Sequence, residues 1–103
     1  MHFVYILYSK QADQFYIGES AFPEGRLQQH NTTRYSKAST KIADDWAIVL
    51  LIKYRSRHDA LTIERYIKKM KSRKFIESLI HDTDFFAKFK VIVQEKFGIE
   101  VVQ

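Results

Sequence analysis

Apolar residues recur along this chain in two rhythms, one typical of strands and one of helices. His2–Ser9 is rich in β-branched and aromatic residues and reads as a strand. Gln14–Glu19 reads as a second, joined to the first through the short polar segment Ser9–Asp13 as a hairpin. A pairing centred between Lys10 and Gln11 sets Tyr5 opposite Tyr16. A slip of one residue would send the two phenols to opposite faces. Pro23 suits the first position of a helix over Pro23–Asn31, since its missing N–H has no helical partner there anyway. Gly25 weakens that helix by about 1 kcal/mol relative to Ala, and either admits a close neighbour or is simply tolerated. Thr32–Asp45 has no period and reads as a long loop. In Trp46–Arg55, Trp46, Ile48, Leu50, Ile52 and Tyr54 alternate with Ala47, Val49 and Leu51. Apolar on both faces, this segment is expected to be the central strand of a sheet covered on both sides.

The remainder is helical. Ser56 and Asp59 form a capping pair, and Ala60, Leu61, Ile63, Ile67 and Met70 then recur at helical spacing, predicting a helix over Arg57–Ser72. Arg73–Ile80 continues as a short separate helix with Phe75, Ile76, Leu79 and Ile80 on one side. Asp82 or Thr83 caps a last helix that runs to Phe97, with Phe85, Phe86, Phe89, Ile92 and Val93 as its stripe and Gly98 as its stop. The tail Ile99–Gln103 either adds an edge strand or frays. The order is β-β-α-β-α-α-α. It predicts an α+β domain with a small three-stranded mixed or antiparallel sheet flanked by helices.

Composition narrows the class. With 103 residues, 46% hydrophobic and 15% aromatic, the chain supports one small domain with a core of its own. There is no cysteine, so disulfides and thiolate metal sites are excluded. The N-terminal residues lack the pattern of a signal peptide and no apolar run has membrane-spanning length, so a soluble cytoplasmic protein is expected. Net charge is +5, from 17 Lys+Arg against 12 Asp+Glu, and favours polyanionic partners. Lys68, Lys69, Lys71, Arg73 and Lys74 cluster, while Arg34, Lys37 and Lys41 recur through the long loop. Each group is either a solvated face or a surface that grips a nucleic-acid backbone without reading bases.

Candidate chemistry gathers around a few residues. Tyr5 and Tyr16 form a packing pair or a functional one, and Gly18 two residues on lets a backbone or a phosphate come close. Arg26 and His30 share a helix face, an arrangement that an anion bridging them would favour. Glu64 falls on the apolar stripe of its helix, where a carboxylate needs a partner: either Lys68 one turn on, or Mg²⁺, which takes few carboxylates and several waters. His2, His58 and His81 show no metal-ligand spacing and read as surface or capping residues. No zinc signature, phosphate-binding glycine loop or nucleophilic serine motif is present.

Taken in order, Phe3-Val4-Tyr5, Tyr16-Ile17-Gly18, Arg26, His30 and Glu64 resemble the GIY-YIG nuclease family. The likeness covers roughly the first 80 residues. It is greatest to small single-domain members similar to the nuclease module of the bacterial excision-repair subunit, a likeness to which Tyr16-Ile17-Gly18-Glu19-Ser20 and Lys68–Lys74 add. Phe3 replaces the first glycine of the pattern. No asparagine follows Glu64, Asn31 being the only one in the chain; the Thr40-Lys41 loop is the candidate substitute.

The resemblance implies a nuclease domain over residues 1–82, with residues 83–103 packed on it as a C-terminal helix and tail. It implies Mg²⁺-dependent hydrolysis of DNA, with Mn²⁺ as an alternative ion, DNA repair as a setting, and no small-molecule cofactor. In that picture Glu64 holds the metal and Arg26 binds the phosphoryl oxygens. Tyr5, its pKa lowered by nearby cations, takes the proton of the attacking water. Tyr16 bonds the phosphate or orients the water, and His30 relays the proton or holds Tyr5. Which tyrosine is the base stays open. Gly18, Arg34, Lys37, Lys41, Lys68, Lys71 and Lys74 are the DNA-contact candidates. Two further readings remain: a nucleic-acid-binding module with negligible turnover, and a protein-interaction domain that would expose Phe85, Phe86 and Phe89 as a patch. The oligomeric expectation is a monomer or a weak homodimer, and selectivity is expected for DNA shape rather than sequence.

Overall fold

The computed structural model describes residues 1–32 and 42–102. Arg34, Lys37, Thr40 and Lys41 lie outside the described residues. The order is β1 (His2–Ser9), β2 (Gln14–Ser20), α1 (Pro23–Asn31), β3 (Ala47–Tyr54), α2 (Arg57–Met70), α3 (Arg73–His81) and α4 (Thr83–Phe97). The α+β class and the element order therefore hold, and the sheet is antiparallel throughout.

The central strand is β1, not β3: the sheet order is β2-β1-β3. Val4, Tyr5, Ile6 and Leu7 are consecutively buried, which only a strand paired on both edges and covered on both faces achieves. On one face, Val4, Ile6, Ile52 and Tyr54 pack against Ala60, Ile63 and Ile67 of α2, Leu79 of α3, and Phe89 and Val93 of α4. On the other, Tyr5, Leu7, Ile48, Leu51 and Trp46 pack around Leu27 of α1. β3 is apolar on both sides because both of its faces are covered, although it sits at an edge. A bulge lies in its pairing with β1, where Ile6 faces Leu50 but Leu7 faces Ile48. The extra residue, Val49, breaks the alternation, so Ile48 and Trp46 turn to the face opposite Leu50 and Ile52.

The hairpin register also differs from the expected one. Tyr5 faces Gly18 and Leu7 faces Tyr16. The pairing is centred between Gln11 and Ala12 because the turn takes Lys10–Asp13, closed by Asp13 in a left-handed conformation at φ 51°. Tyr5's partner has thus moved by two residues along β2. An even shift keeps both phenols on one face.

Local chemistry explains most helix ends. Ser56 accepts from the Asp59 amide at 3.1 Å and Asp82 from the Phe85 amide at 3.0 Å, while Gly98 stops α4 in the left-handed region at φ 67°. α2 ends at Met70, two residues short of the expected Ser72, because Lys71 adopts φ 48° and Ser72 instead caps α3 through the Phe75 amide. Phe85 and Phe86 are partly buried against the core that contains Phe89, so the expected aromatic patch does not form. Ile92, placed on the stripe of α4 by the sequence, is instead exposed. Residues 99–102 form no strand. Ile99 is buried and the Val102 amide donates to the Lys53 carbonyl at 2.9 Å, covering part of the β3 edge. No helix among the described residues is long and apolar enough to cross a membrane.

One buried group is mismatched. The Tyr54 hydroxyl is buried and has no hydrogen-bond partner among the described residues. Burial, followed by the charge of Asp59, pushes its pKa upward. Tyr54→Phe removes that hydroxyl and is expected to raise stability by about 1 kcal/mol. Because both Tyr54 and Tyr5 have raised pKa values, the unfolded chain loses these protons first as pH rises. Their contribution to stability is complete below the ordinary phenol pKa of about 10 and falls above it. Thermal unfolding of both proteins between neutral and alkaline pH checks this: a smaller alkaline loss is expected for Tyr54→Phe. A lower melting temperature for the variant at neutral pH would show that the hydroxyl is satisfied.

Candidate functional site

The site is assembled on the α1 face of the sheet and around the free edge of β2. Gly18 is its foundation. A Cβ built there would lie 2.5 Å from both Cζ and Oη of Tyr5, so the Tyr5 ring occupies the space a side chain would take. The close neighbour anticipated for this glycine is thus a phenol of the same protein. Gly25, by contrast, has only Phe22 Cβ within 4.0 Å of such a Cβ, so no close approach accounts for it.

From its place over Gly18, Tyr5 Oη lies 3.0 Å from His30 Nε2 in a buried hydrogen bond. His30 occupies the last turn of α1, a helix that starts at Pro23 without a side-chain cap. What anchors its far end is Asn31. The Asn31 amide nitrogen donates to the Trp46 carbonyl at 2.9 Å, and the Trp46 amide donates to Asn31 Oδ1 at 2.7 Å. This clamp ties the end of α1 to the start of β3 and holds His30 above the sheet. The only asparagine of the chain is therefore engaged in structure.

Tyr16 completes the aromatic cluster. Its ring centroid lies 6.4 Å from that of Tyr5 and 4.5 Å from that of His30. Arg26, one turn before His30, is exposed, and its positive charge acts on the Tyr5 phenol. The carboxylate approaches from α2, which packs across β1 and β2. Glu64 is mostly buried, with 14% of its side chain exposed, and Lys68 Nζ pairs with Glu64 Oε1 at 3.3 Å. The same Nζ lies 5.9 Å from the centre of the Tyr16 ring. Glu64 is thus linked to Tyr16 through one lysine, the partner that the plainer sequence reading assigned to it.

Electrostatics alter one expectation. Burial raises the Tyr5 pKa, and Tyr16 adds to the rise. Arg26 opposes it, whereas Glu64 and Glu19 reinforce it. The net direction is upward, against the lowering expected from cations, because desolvation of a nearly buried phenolate outweighs one exposed guanidinium. Tyr5 is a neutral hydroxyl at physiological pH. Glu19, whose charge also reaches Tyr5, was not among the sequence candidates; His2 Nδ1 at 3.2 Å and Arg57 Nε at 3.4 Å hold its carboxylate. Its place directly after Gly18 was the only available signal.

The basic residues separate. Lys68 and Lys71 line a groove along β2, whereas Lys74 lines a different depression with Glu77 and His81. Among the described residues no group of three or more acidic, histidine or cysteine side chains is placed to hold a metal. Glu64 stands as a lone carboxylate, a donor set that suits an ion taking one carboxylate and filling its shell with water and phosphate oxygens.

A phenol–imidazole pair and a second phenol thus meet on one side of the sheet, with an exposed guanidinium on α1 and a lone carboxylate on α2. Residues 1–77 match the GIY-YIG catalytic domain family, and the chain belongs to that family. No curated protein and no solved structure matches it. The domain is of nuclease type, and nucleic acid is the substrate class that follows from it.

Proposed function

We propose that this chain is a divalent-metal-dependent endonuclease that hydrolyses DNA phosphodiester bonds, selecting structure rather than sequence. The observation that carries this reading is the Tyr5–His30 hydrogen bond formed over Gly18, beside Tyr16 and within electrostatic reach of Arg26 and Glu64. A raised pKa makes Tyr5 a poor phenolate reservoir but a serviceable relay. As water attacks phosphorus, its proton passes to Tyr5 Oη while the Tyr5 proton passes to His30 Nε2. Arg26 donates to the phosphoryl oxygens as negative charge builds. Tyr16 orients the water or the phosphate. Glu64 would hold Mg²⁺, with Mn²⁺ as a substitute. When bound, the ion supplies charge neutralisation at the scissile phosphate and the leaving oxygen. Lys68 is released from Glu64 to the DNA backbone, Lys71 contacts the backbone beside it, and Arg34, Lys37, Lys41 and Lys74 join them on sequence grounds. A cytoplasmic monomer or weak homodimer fits this reading.

The second reading is a DNA-binding module without turnover. The engagement of Asn31 with Trp46 favours it, since no other asparagine exists to assist Glu64. Incubation of the protein with supercoiled and branched DNA in Mg²⁺, Mn²⁺ or EDTA separates the two. Nicking in either metal that EDTA abolishes is the expected result. Salt-dependent binding with no nicking would establish the second reading, and nicking that persists in EDTA would remove the metal from the account.

A further inference from the structure

We propose that the groove beside β2 is a track for an unpaired DNA strand leading into the site, so that the preferred substrates are duplexes with a single-stranded flank. This inference rests on the nuclease reading above and gives that site its substrate class.

β2 is a free edge of the sheet, and residues of α2 and α3 line one groove beside it. Between them runs an open groove of about 540 Å³ whose walls include Phe15, Tyr16, Ile76, Lys68, Lys71 and Arg73. That volume falls within the range of about 300–1,000 Å³ that takes a compact ligand, which suits one or two nucleotides. Tyr16 belongs both to the groove and to the site, so a strand in the groove lies next to the phenols.

The walls combine rings and cations. Lys68 Nζ lies 5.9 Å from the Tyr16 ring centre, and Arg73 Cζ lies 5.2 Å from that of Phe15. Aromatic faces flanked by cations are what proteins use to hold single strands without regard to sequence, bases stacking while phosphates meet the positive groups. Of the three cations on the walls, Arg73 and Lys71 have different parts. Arg73 is held by Asp13 at 2.6 Å and by Glu77 at 3.3 Å, so its charge is compensated and its guanidinium serves as a flat wall. Lys71, set at the groove by its left-handed backbone, has no ion-pair partner among the described residues and is the phosphate contact.

Anisotropy titrations in EDTA, with a labelled oligo-dT and a fully paired hairpin as probes, test the proposal. Lys71→Glu is compared with Lys90→Glu, the same charge change on α4 away from the groove. Lys71→Glu is expected to weaken oligo-dT binding about tenfold or more and hairpin binding far less. Lys90→Glu is expected to alter both slightly and equally. Equal losses on both probes for Lys71→Glu would overturn the track. Cleavage by the unaltered protein separates this proposal from the nuclease reading. Equal rates on flanked and blunt duplexes in Mg²⁺ would defeat the track and keep the nuclease. Selective oligo-dT binding through Lys71 without any cleavage would keep the track and defeat the nuclease.

Discussion

Gly18→Ala is expected to destabilise the domain by about 1–3 kcal/mol and, on the proposed nuclease function, to lower cleavage about a hundredfold or more. The added methyl would stand 2.5 Å from Tyr5 Cζ and Oη, and no adjustment of a flexible chain end can relieve that contact. The Tyr5 ring is nearly buried, with Tyr16 and His30 beside it. Accommodation must therefore displace the phenol, lengthen its bond to His30, or open the hairpin at the pair Tyr5–Gly18. Gly25→Ala is the matched control. Its Cβ meets only Phe22 at 4.0 Å, and alanine favours the helix, so a stability gain of up to about 1 kcal/mol is expected. Thermal melts and cleavage rates of the two variants check both statements. A Gly18→Ala protein as stable and active as the parent would show that the Tyr5 hydroxyl does not lie over this glycine during function.

Tyr5→Phe is expected to leave the fold nearly intact and, on the proposed function, to reduce single-turnover cleavage about 10²–10⁴-fold, the range for losing a proton-transfer group. The ring and its packing remain, and the lost hydrogen bond to His30 is worth about 1 kcal/mol of stability. Tyr16→Phe is expected to fall less, because Tyr16 meets His30 ring to ring whereas Tyr5 meets it through its hydroxyl. Measured side by side under single-turnover conditions, the two variants decide which phenol carries the proton. A larger loss for Tyr16→Phe would exchange the two roles.

Much of this arrangement was legible because local chemistry and tertiary context agree. Pro23, Ser56, Asp82 and Gly98 mark helix ends by the hydrogen bonds or dihedral angles they impose, and each stands where its chemistry requires. The illegible parts depend on contacts remote in sequence. β1 and β3 are both apolar on both faces, so periodicity alone cannot decide which is central. The bulge at Val49 depends on the partner strand, and simple alternation therefore assigns Trp46 and Ile48 to the wrong face. The candidate site followed the same division. Tyr5, Tyr16, His30 and Glu64 were recognisable as residue types in order. The pairing of Gly18 with Tyr5 was not, because it needs a four-residue turn with Asp13 in a left-handed conformation. Nor was the upward shift of Tyr5, because burial enters only with the packed structure.

The central claim is that Glu64 serves the same phosphodiester-cleaving centre as the phenols, by holding a divalent ion. The most direct measurement is the single-turnover cleavage rate of a branched DNA in Mg²⁺ by the parent and by Glu64→Gln, with DNA affinity recorded for both. Gln keeps the size of the side chain and removes only its charge. The account predicts folded Glu64→Gln protein that still binds DNA but cleaves it at least about a thousandfold more slowly. Cleavage at a rate near that of the parent would contradict the account.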